Sequence, residues 1–149
     1  MKNIRLLSLG FMVFLLAGCS LLMPDKMGSM DTPELANSEH FTTKRAKIAF
    51  NIKAGKVESY YELVLGIVKP FPDGAFLEVQ FENPVDAASP LIAAKEVKPA
   101  DLQITVYSPP FYGRETDQNY QVVVEIYSDR SKKILLGKHV QLIRSFMDD

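Results

Sequence analysis

Residue types that most often carry out chemistry are few in this chain. It has one cysteine, Cys19, and two histidines, His40 and His139. No cysteines and histidines stand at the spacing of a zinc site, and the serines lie outside the Gly-x-Ser-x-Gly context of a nucleophile. Neither common glycine-rich phosphate-binding motif occurs. The sequence therefore predicts no catalytic residue, no metal site and no cofactor, and so a protein that is not an enzyme.

Two polar features fall within the predicted strands. His139 shares its phase with Gln141 in the last strand, where we expect a histidine that faces solvent. Glu78, Gln80 and Glu82 alternate with apolar residues, and a row of this kind is typical of a solvated sheet face.

The strongest candidate for binding is the segment 108–114. Two prolines stiffen it, and Phe111, Tyr112 and Arg114 are of the types enriched in binding hot spots. The alternative interpretation is that Phe111 or Tyr112 folds back and plugs the end of the domain. The segment 83–90 is a second possible recognition loop, although its composition also suits an ordinary connection.

At the N-terminus a short basic start precedes an apolar run. Lys2 and Arg5 come before residues 6–17, which are almost entirely apolar. A run of about 12 residues is too short for the hydrocarbon core of a bilayer, which needs ~20. The pattern is that of a secretory signal peptide.

The run ends in Leu16-Ala17-Gly18-Cys19, which resembles the lipobox of bacterial lipoproteins. The resemblance implies cleavage after Gly18, a diacylglycerol on the thiol of Cys19, and acylation of the new amino group by a fatty acid such as palmitate. Several acyl chains make such an anchor effectively permanent. Because an Asp after the cysteine favours inner-membrane retention in Gram-negative bacteria, Ser20 implies the outer membrane, at its periplasmic face.

Composition and net charge limit the classes of protein and partner that the sequence allows. Hydrophobic residues make up 47% and charged residues 23% of the chain, as in ordinary globular proteins. Without residues 1–18, 15 basic and 18 acidic residues remain, a net charge of −3. Nucleic-acid binding usually requires a clustered basic face, so it is not expected.

We expect three segments: a cleaved signal peptide over residues 1–18, a flexible tether over 19–45, and a folded domain over 46–149. The tether shows no sustained periodicity and contains proline, glycine, serine and aspartate residues. As a random coil it has a root-mean-square reach of about 25–30 Å. The membrane is therefore one partner, through the lipid on Cys19.

Period-two alternation predicts strands in the folded domain, beginning near residues 46, 77, 102 and 120. The segment 58–69 is apolar on both faces, as in a central strand, and 133–145 is the last strand, with Gly137 at a possible bulge. Residues 90–94 suit an edge strand or a bridging excursion. Turns are expected at 72–74, as a hairpin, and at 128–131.

Six or seven short strands predict an all-β domain, an antiparallel β-sandwich of immunoglobulin-like or transthyretin-like type, with a small closed β-barrel as the alternative. Residues 116–122, which include Tyr120, resemble the tyrosine corner of immunoglobulin-like domains.

Together these features favour an outer-membrane-anchored lipoprotein whose β-sandwich binds another component of the cell envelope, as an accessory or assembly subunit. Lipoprotein subunits of secretion systems share this layout. One alternative is a periplasmic carrier or sensor of a small apolar ligand, motivated by the doubly apolar segment 58–69. An envelope hydrolase or hydrolase inhibitor is less favoured.

Overall fold

The computed structural model describes residues 32–146, so the predicted signal peptide and Cys19 lie outside the described residues. This part of the chain contains seven β-strands and no helix. The strands are β1 (Phe41–Lys53), β2 (Lys56–Ile67), β3 (Ala75–Phe81), β4 (Leu91–Val97), β5 (Gln103–Tyr107), β6 (Asn119–Tyr127) and β7 (Leu135–Arg144).

These strands form two antiparallel sheets that pack face to face. One sheet has the order β1-β2-β5 and the other the order β4-β3-β6-β7. The sheets do not join into one closed sheet, and the predicted β-sandwich is confirmed. The division of the first, second and fifth strands from the third, sixth and seventh is that of immunoglobulin-like domains, with β4 placed beside β3.

Because neighbouring strands alternate in direction, the connections gather at two ends of the sandwich. We call one the hairpin end; it carries the β1–β2 turn and the loops 82–90 and 108–118. The opposite end carries the loops 68–74, 98–102 and 128–134.

The core between the sheets is centred on the ring of Tyr61 in β2. This ring stacks on Phe81 of β3 at 5.4 Å and on Phe111 at 4.4 Å between centroids. Its hydroxyl donates a hydrogen bond to the backbone oxygen of Glu82 at 3.0 Å. Burial raises the pKa of this hydroxyl well above its ordinary value, so it stays neutral. One side chain thus joins both sheets without leaving a polar group unsatisfied.

One predicted hairpin is a crossing between sheets in the structure. Residues 72–74 connect β2 and β3, which belong to different sheets. The turn itself is present, and Gly74 has a φ of +82°, which glycine adopts without strain. Local sequence specifies a turn, but the pairing of the strands depends on where the apolar faces are buried. The turn at 128–131 does join paired strands, β6 and β7.

The folded part begins before the predicted boundary at residue 46. β1 starts at Phe41, and the buried side chain of Gln141 in β7 holds the preceding segment. Its Nε2 donates to the Glu34 oxygen at 3.1 Å, and its Oε1 accepts the Ala36 N–H at 2.8 Å. The alternation in β1 was concealed by a bulge between Thr43 and Arg45, which reverses the phase of the strand.

His139 is buried, in contrast to the predicted solvent-facing position. It is 2% exposed, and its Nε2 is hydrogen-bonded to Thr43 Oγ1 at 2.8 Å. Its neighbours in the other phase, Val140 and Leu142, point outward instead. The inner side of β7 meets the start of β1 and the segment 34–37, where polar partners are needed, so the polar phase faces inward.

The acidic row on β3 is only partly solvated. Glu78 is buried beneath Lys132, which forms an ion pair with its Oε2. Gln80 donates to the other oxygen of Glu78 at 3.2 Å, and Glu82 accepts the N–H of Gln121 at 2.8 Å. The row therefore stabilises the outer side of this sheet through specific partners.

Gly137 lies where the ring of His40 rests on β7. A β-carbon at this position would collide with the His40 ring, so glycine is required for the close approach. The register of β6 and β7 also shifts beside this residue, between Ile126 and Tyr127. The predicted bulge at Gly137 thus accommodates a side chain from outside the strand.

We expect Gly137→Ala to destabilise the fold by about 1–3 kcal/mol because the added methyl group overpacks this contact. His40→Ala should restore part of this loss in the double variant, since it removes the colliding ring. Urea unfolding of the two single variants and the double variant gives the coupling energy. Additive effects would show that the collision with His40 is not the cause.

Burial lowers the pKa of His139 below its ordinary value of 6.5. As pH falls through about 6.5, the unfolded chain therefore takes up a proton that the folded chain does not, and stability is lost. His139→Gln keeps a hydrogen-bonding side chain but cannot titrate. As the pH is lowered from about 7.5 to about 5.5, the unfolding free energy of this variant should therefore rise relative to that of the natural chain. Urea unfolding measures this difference. A constant difference would contradict this prediction.

Candidate binding surface

The first half of the loop 108–118 is fixed to β2. The N–H of Phe111 donates to the oxygen of Ser59 at 2.8 Å, and the N–H of Ser59 donates back at 3.3 Å. Ser108 Oγ accepts the N–H of Tyr61 at 2.9 Å. The two prolines of the loop thus lie between fixed points, and the residues that follow have a defined position.

A tyrosine corner organises the second half of the loop. The hydroxyl of Tyr120 accepts the N–H of Glu115 at 2.8 Å, five residues upstream. Asp117, at a φ of +64°, donates its N–H to the oxygen of Ser145 at 2.9 Å and accepts from Arg144 at 3.0 Å. The resemblance stated for residues 116–122 therefore has its hydrogen bond in the structure.

The structure separates the three predicted partner-binding residues. Phe111 is 4% exposed and stacks on Tyr61, so it plugs the end of the sandwich and is not available to a partner. Tyr112 is 57% exposed, with its hydroxyl 3.4 Å from Glu58 Oε1. Arg114 is half-buried beside a cleft. Only Tyr112 and Arg114 remain as surface candidates.

This cleft lies between β1 and β7 at the hairpin end and has a volume of about 220 Å³. Three cations line it, and two of them have partners: Lys47 pairs with Glu62 at 3.2 Å and Arg144 with Asp117 at 3.0 Å. The remaining lining is mainly apolar and includes Ile48, Leu142 and Phe146. Such a cleft suits a group that combines a negative charge with an apolar part.

The β1–β2 hairpin contributes a feature that the sequence did not reveal. Phe50 and Ile52 were expected on a half-buried strand, and Val57 directly precedes the predicted strand 58–69, but the three side chains are 49%, 68% and 56% exposed. β5 pairs with β2 only between Glu62 and Gly66, so the hairpin extends past the strand beside it. The sequence offers one signal: Ala54-Gly55 interrupts the alternation that runs through Phe50 and Ile52, and glycine is typical of turns.

Within residues 32–146, no three side chains of His, Cys, Asp or Glu gather where they could hold a metal ion. The same residues include no helix with the length and hydrophobicity to cross a membrane. The chemistry that this surface offers is apolar contact together with positive charge.

No protein-family model matches the chain, and no curated protein matches its sequence. Any assignment of function therefore rests on the residues of the hairpin end and on the sequence motifs.

Phe111→Ala and Tyr112→Ala should differ sharply although the residues are adjacent. Loss of the buried ring is expected to cost about 3–5 kcal/mol of unfolding free energy. Loss of the exposed Tyr112 side chain should change it by less than ~1 kcal/mol. Chemical denaturation of both variants measures the difference, and similar losses would contradict the distinction between a core ring and a surface ring.

Proposed function

We propose that the chain is an outer-membrane-anchored lipoprotein whose β-sandwich binds another component of the cell envelope at its hairpin end. One observation carries the proposal: the chain enters the fold at the same end as the exposed candidates. Thr32 and Pro33 lie with Ile48, Arg114 and Phe146 around one cleft. Thr32, where the predicted tether would join the described part of the chain, and the candidate binding surface therefore share one end of the domain.

The lipobox supplies the anchor in this proposal. Twelve residues lie between Cys19 and Thr32, so thirteen residue-to-residue steps connect them. A fully extended chain spans at most about 3.5 Å per residue, so Thr32 is held within about 45 Å of the lipid. Because the fold already includes residues 34–45, the connection is shorter than the sequence suggested. In this proposal the end of the domain that carries Thr32 would stay within that reach of the bilayer.

Tyr112 and Arg114 support a protein as the second partner. An exposed tyrosine offers a large contact area at small entropic cost, and arginine offers several hydrogen-bond donors in a fixed geometry. No carboxylate within residues 32–146 pairs with Arg114. Both side chains are held on a loop that is fixed at each end, so binding would order little additional chain.

The contacts in the structure give less support to the two alternatives, an apolar carrier and a hydrolase inhibitor. In the doubly apolar segment 58–69, which motivated an apolar carrier, Tyr61, Leu63 and Leu65 are fully buried in the packing between the sheets. Their apolar character is explained by the core itself. An inhibitor of an envelope hydrolase would be expected to present a protruding loop, whereas the loop 108–118 is bonded to β2 and β7.

Cys19→Ala should release the protein from membranes into the soluble fraction, because no acyl chain can then be attached. Ser20→Asp should instead move it from the outer to the inner membrane. Fractionation and the intact mass of the mature chain report both outcomes, and Ser20→Ala is the matched control. A natural chain without acyl mass, or a Cys19→Ala chain that is still acylated, would refute the anchor.

Tyr112→Ala/Arg114→Ala should lose the dominant crosslinked partner in cells while the fold is retained. Phe111 is left intact because its loss would destabilise the core. Arg130→Ala/Ile134→Ala is the control, since both residues are exposed at the opposite end. Recovery of the same partner from both variants would contradict a binding role for Tyr112 and Arg114.

A further inference from the structure

We propose that the tip of the β1–β2 hairpin inserts its apolar face into the headgroup region of an anionic lipid bilayer. The bilayer is the one to which Cys19 would be anchored, so the inference rests on the proposed function. The hairpin tip is defined as residues 50–57.

The register of the hairpin makes its tip amphipathic. Ile52 pairs with Val57 and Phe50 with Ser59, so the three large apolar side chains share one face. All three are substantially exposed. Lys53 and Lys56 pair with each other beside the two-residue turn and lie on the other face.

The apolar face of the tip continues the inner face of its sheet. Ile48 and Tyr61 form the pair that still lies in the sandwich, with Tyr61 fully buried. The pair of Ile52 and Val57 comes four residues further along each strand, which is about 14 Å. Past the edge of the second sheet, the side chains of Phe50, Ile52 and Val57 on this face are about half exposed or more.

Charge at the tip indicates an anionic surface as the occupant. Residues 48–57 contain two lysines and no acidic residue. Like charges directly opposite in a hairpin are unfavourable, and Lys53 and Lys56 are such a pair. Anionic headgroups would offset this repulsion, while the lysine stems lie along the apolar layer and the ammonium groups stay at the headgroups. Glu58 directly follows the tip in β2, opposite Asn51 and 3.4 Å from the Tyr112 hydroxyl, whereas Asp86, Glu115 and Asp117 belong to the loops at the base of the hairpin.

The lipid anchor explains why the small apolar surface of the hairpin tip would be enough to bind the bilayer. A stable protein interface buries ~800 Å² on each partner, far more than three side chains provide. A domain that is already tethered within about 45 Å of the bilayer experiences a high effective concentration of lipid. Weak insertion of the tip would then orient the domain, with Tyr112 and Arg114 held beside the membrane.

The chain contains no tryptophan, so a single tryptophan can report on insertion. The test uses residues 19–149 with Cys19→Ser, which removes any acyl contribution, and with Phe50→Trp at the tip. Vesicles of phosphatidylglycerol and phosphatidylcholine should shift its emission to shorter wavelength, and phosphatidylcholine alone should shift it much less. Ile134→Trp, an exposed position at the opposite end, is the matched control and should show no shift.

In the Phe50→Trp chain, Ile52→Ser/Val57→Ser should weaken binding to the anionic vesicles by about tenfold or more. Lys53→Glu/Lys56→Glu should remove the preference for phosphatidylglycerol, whereas Lys98→Glu/Lys133→Glu, at exposed positions of the opposite end, should keep it. Circular dichroism of each variant establishes that the sandwich is folded.

An unshifted Phe50→Trp emission, or an equal shift for Ile134→Trp, would overturn the proposal. So would a photocrosslink from position 52 to a protein in cells without any vesicle binding, because the occupant would then be a protein. The vesicle assay contains no acylated chain, so its failure leaves the Cys19 anchor intact. Failure of the anchor would instead appear in the fractionation of Cys19→Ala.

Discussion

The stack of Phe111 on Tyr61 connects the parts of this protein that would carry function. Tyr61 comes from β2, and its ring also packs on Phe81 of the other sheet. The same stack brings the loop 108–118 against β2, where backbone hydrogen bonds with Ser59 continue the sheet. Because these contacts are buried, the loop is positioned by the core, and Tyr112 is presented on a fixed backbone.

A second group of polar contacts closes the sandwich where β1 meets β7. Gln141 and His139 point inward there and bond to the segment before β1 and to Thr43. Buried polar groups are costly unless they are paired, so these bonds define one arrangement of the chain on its way into the fold. The arrangement places Thr32 at the hairpin end. The end of the domain at which Thr32 lies follows from these few hydrogen bonds.

The Phe111–Tyr61 stack and the polar contacts between β1 and β7 make the two ends of the sandwich different. Its hairpin end combines the entry of the chain, a half-apolar cleft with three cations, and a hairpin whose apolar face extends past the core. The opposite end is made of the loops 68–74, 98–102 and 128–134. In a lipid-anchored protein this asymmetry would direct one end toward the membrane, and the remaining faces toward the periplasm.

From the sequence alone, period-two alternation predicted most of the strands and an all-β domain, with a sandwich favoured over a closed barrel, and Leu16 to Cys19 predicted the anchor. These are local patterns, readable from neighbouring residues. Only the tertiary structure decided which phase of β7 faces inward, whether residues 72–74 close a hairpin, and whether Phe111 is core or surface. Each of these depends on partners distant in the chain: the segment 34–37 for Gln141, the second sheet for β3, and Tyr61 for Phe111. Alternation shows that a strand has two different faces. Packing against another element determines which face is buried, and along how much of the strand it is buried.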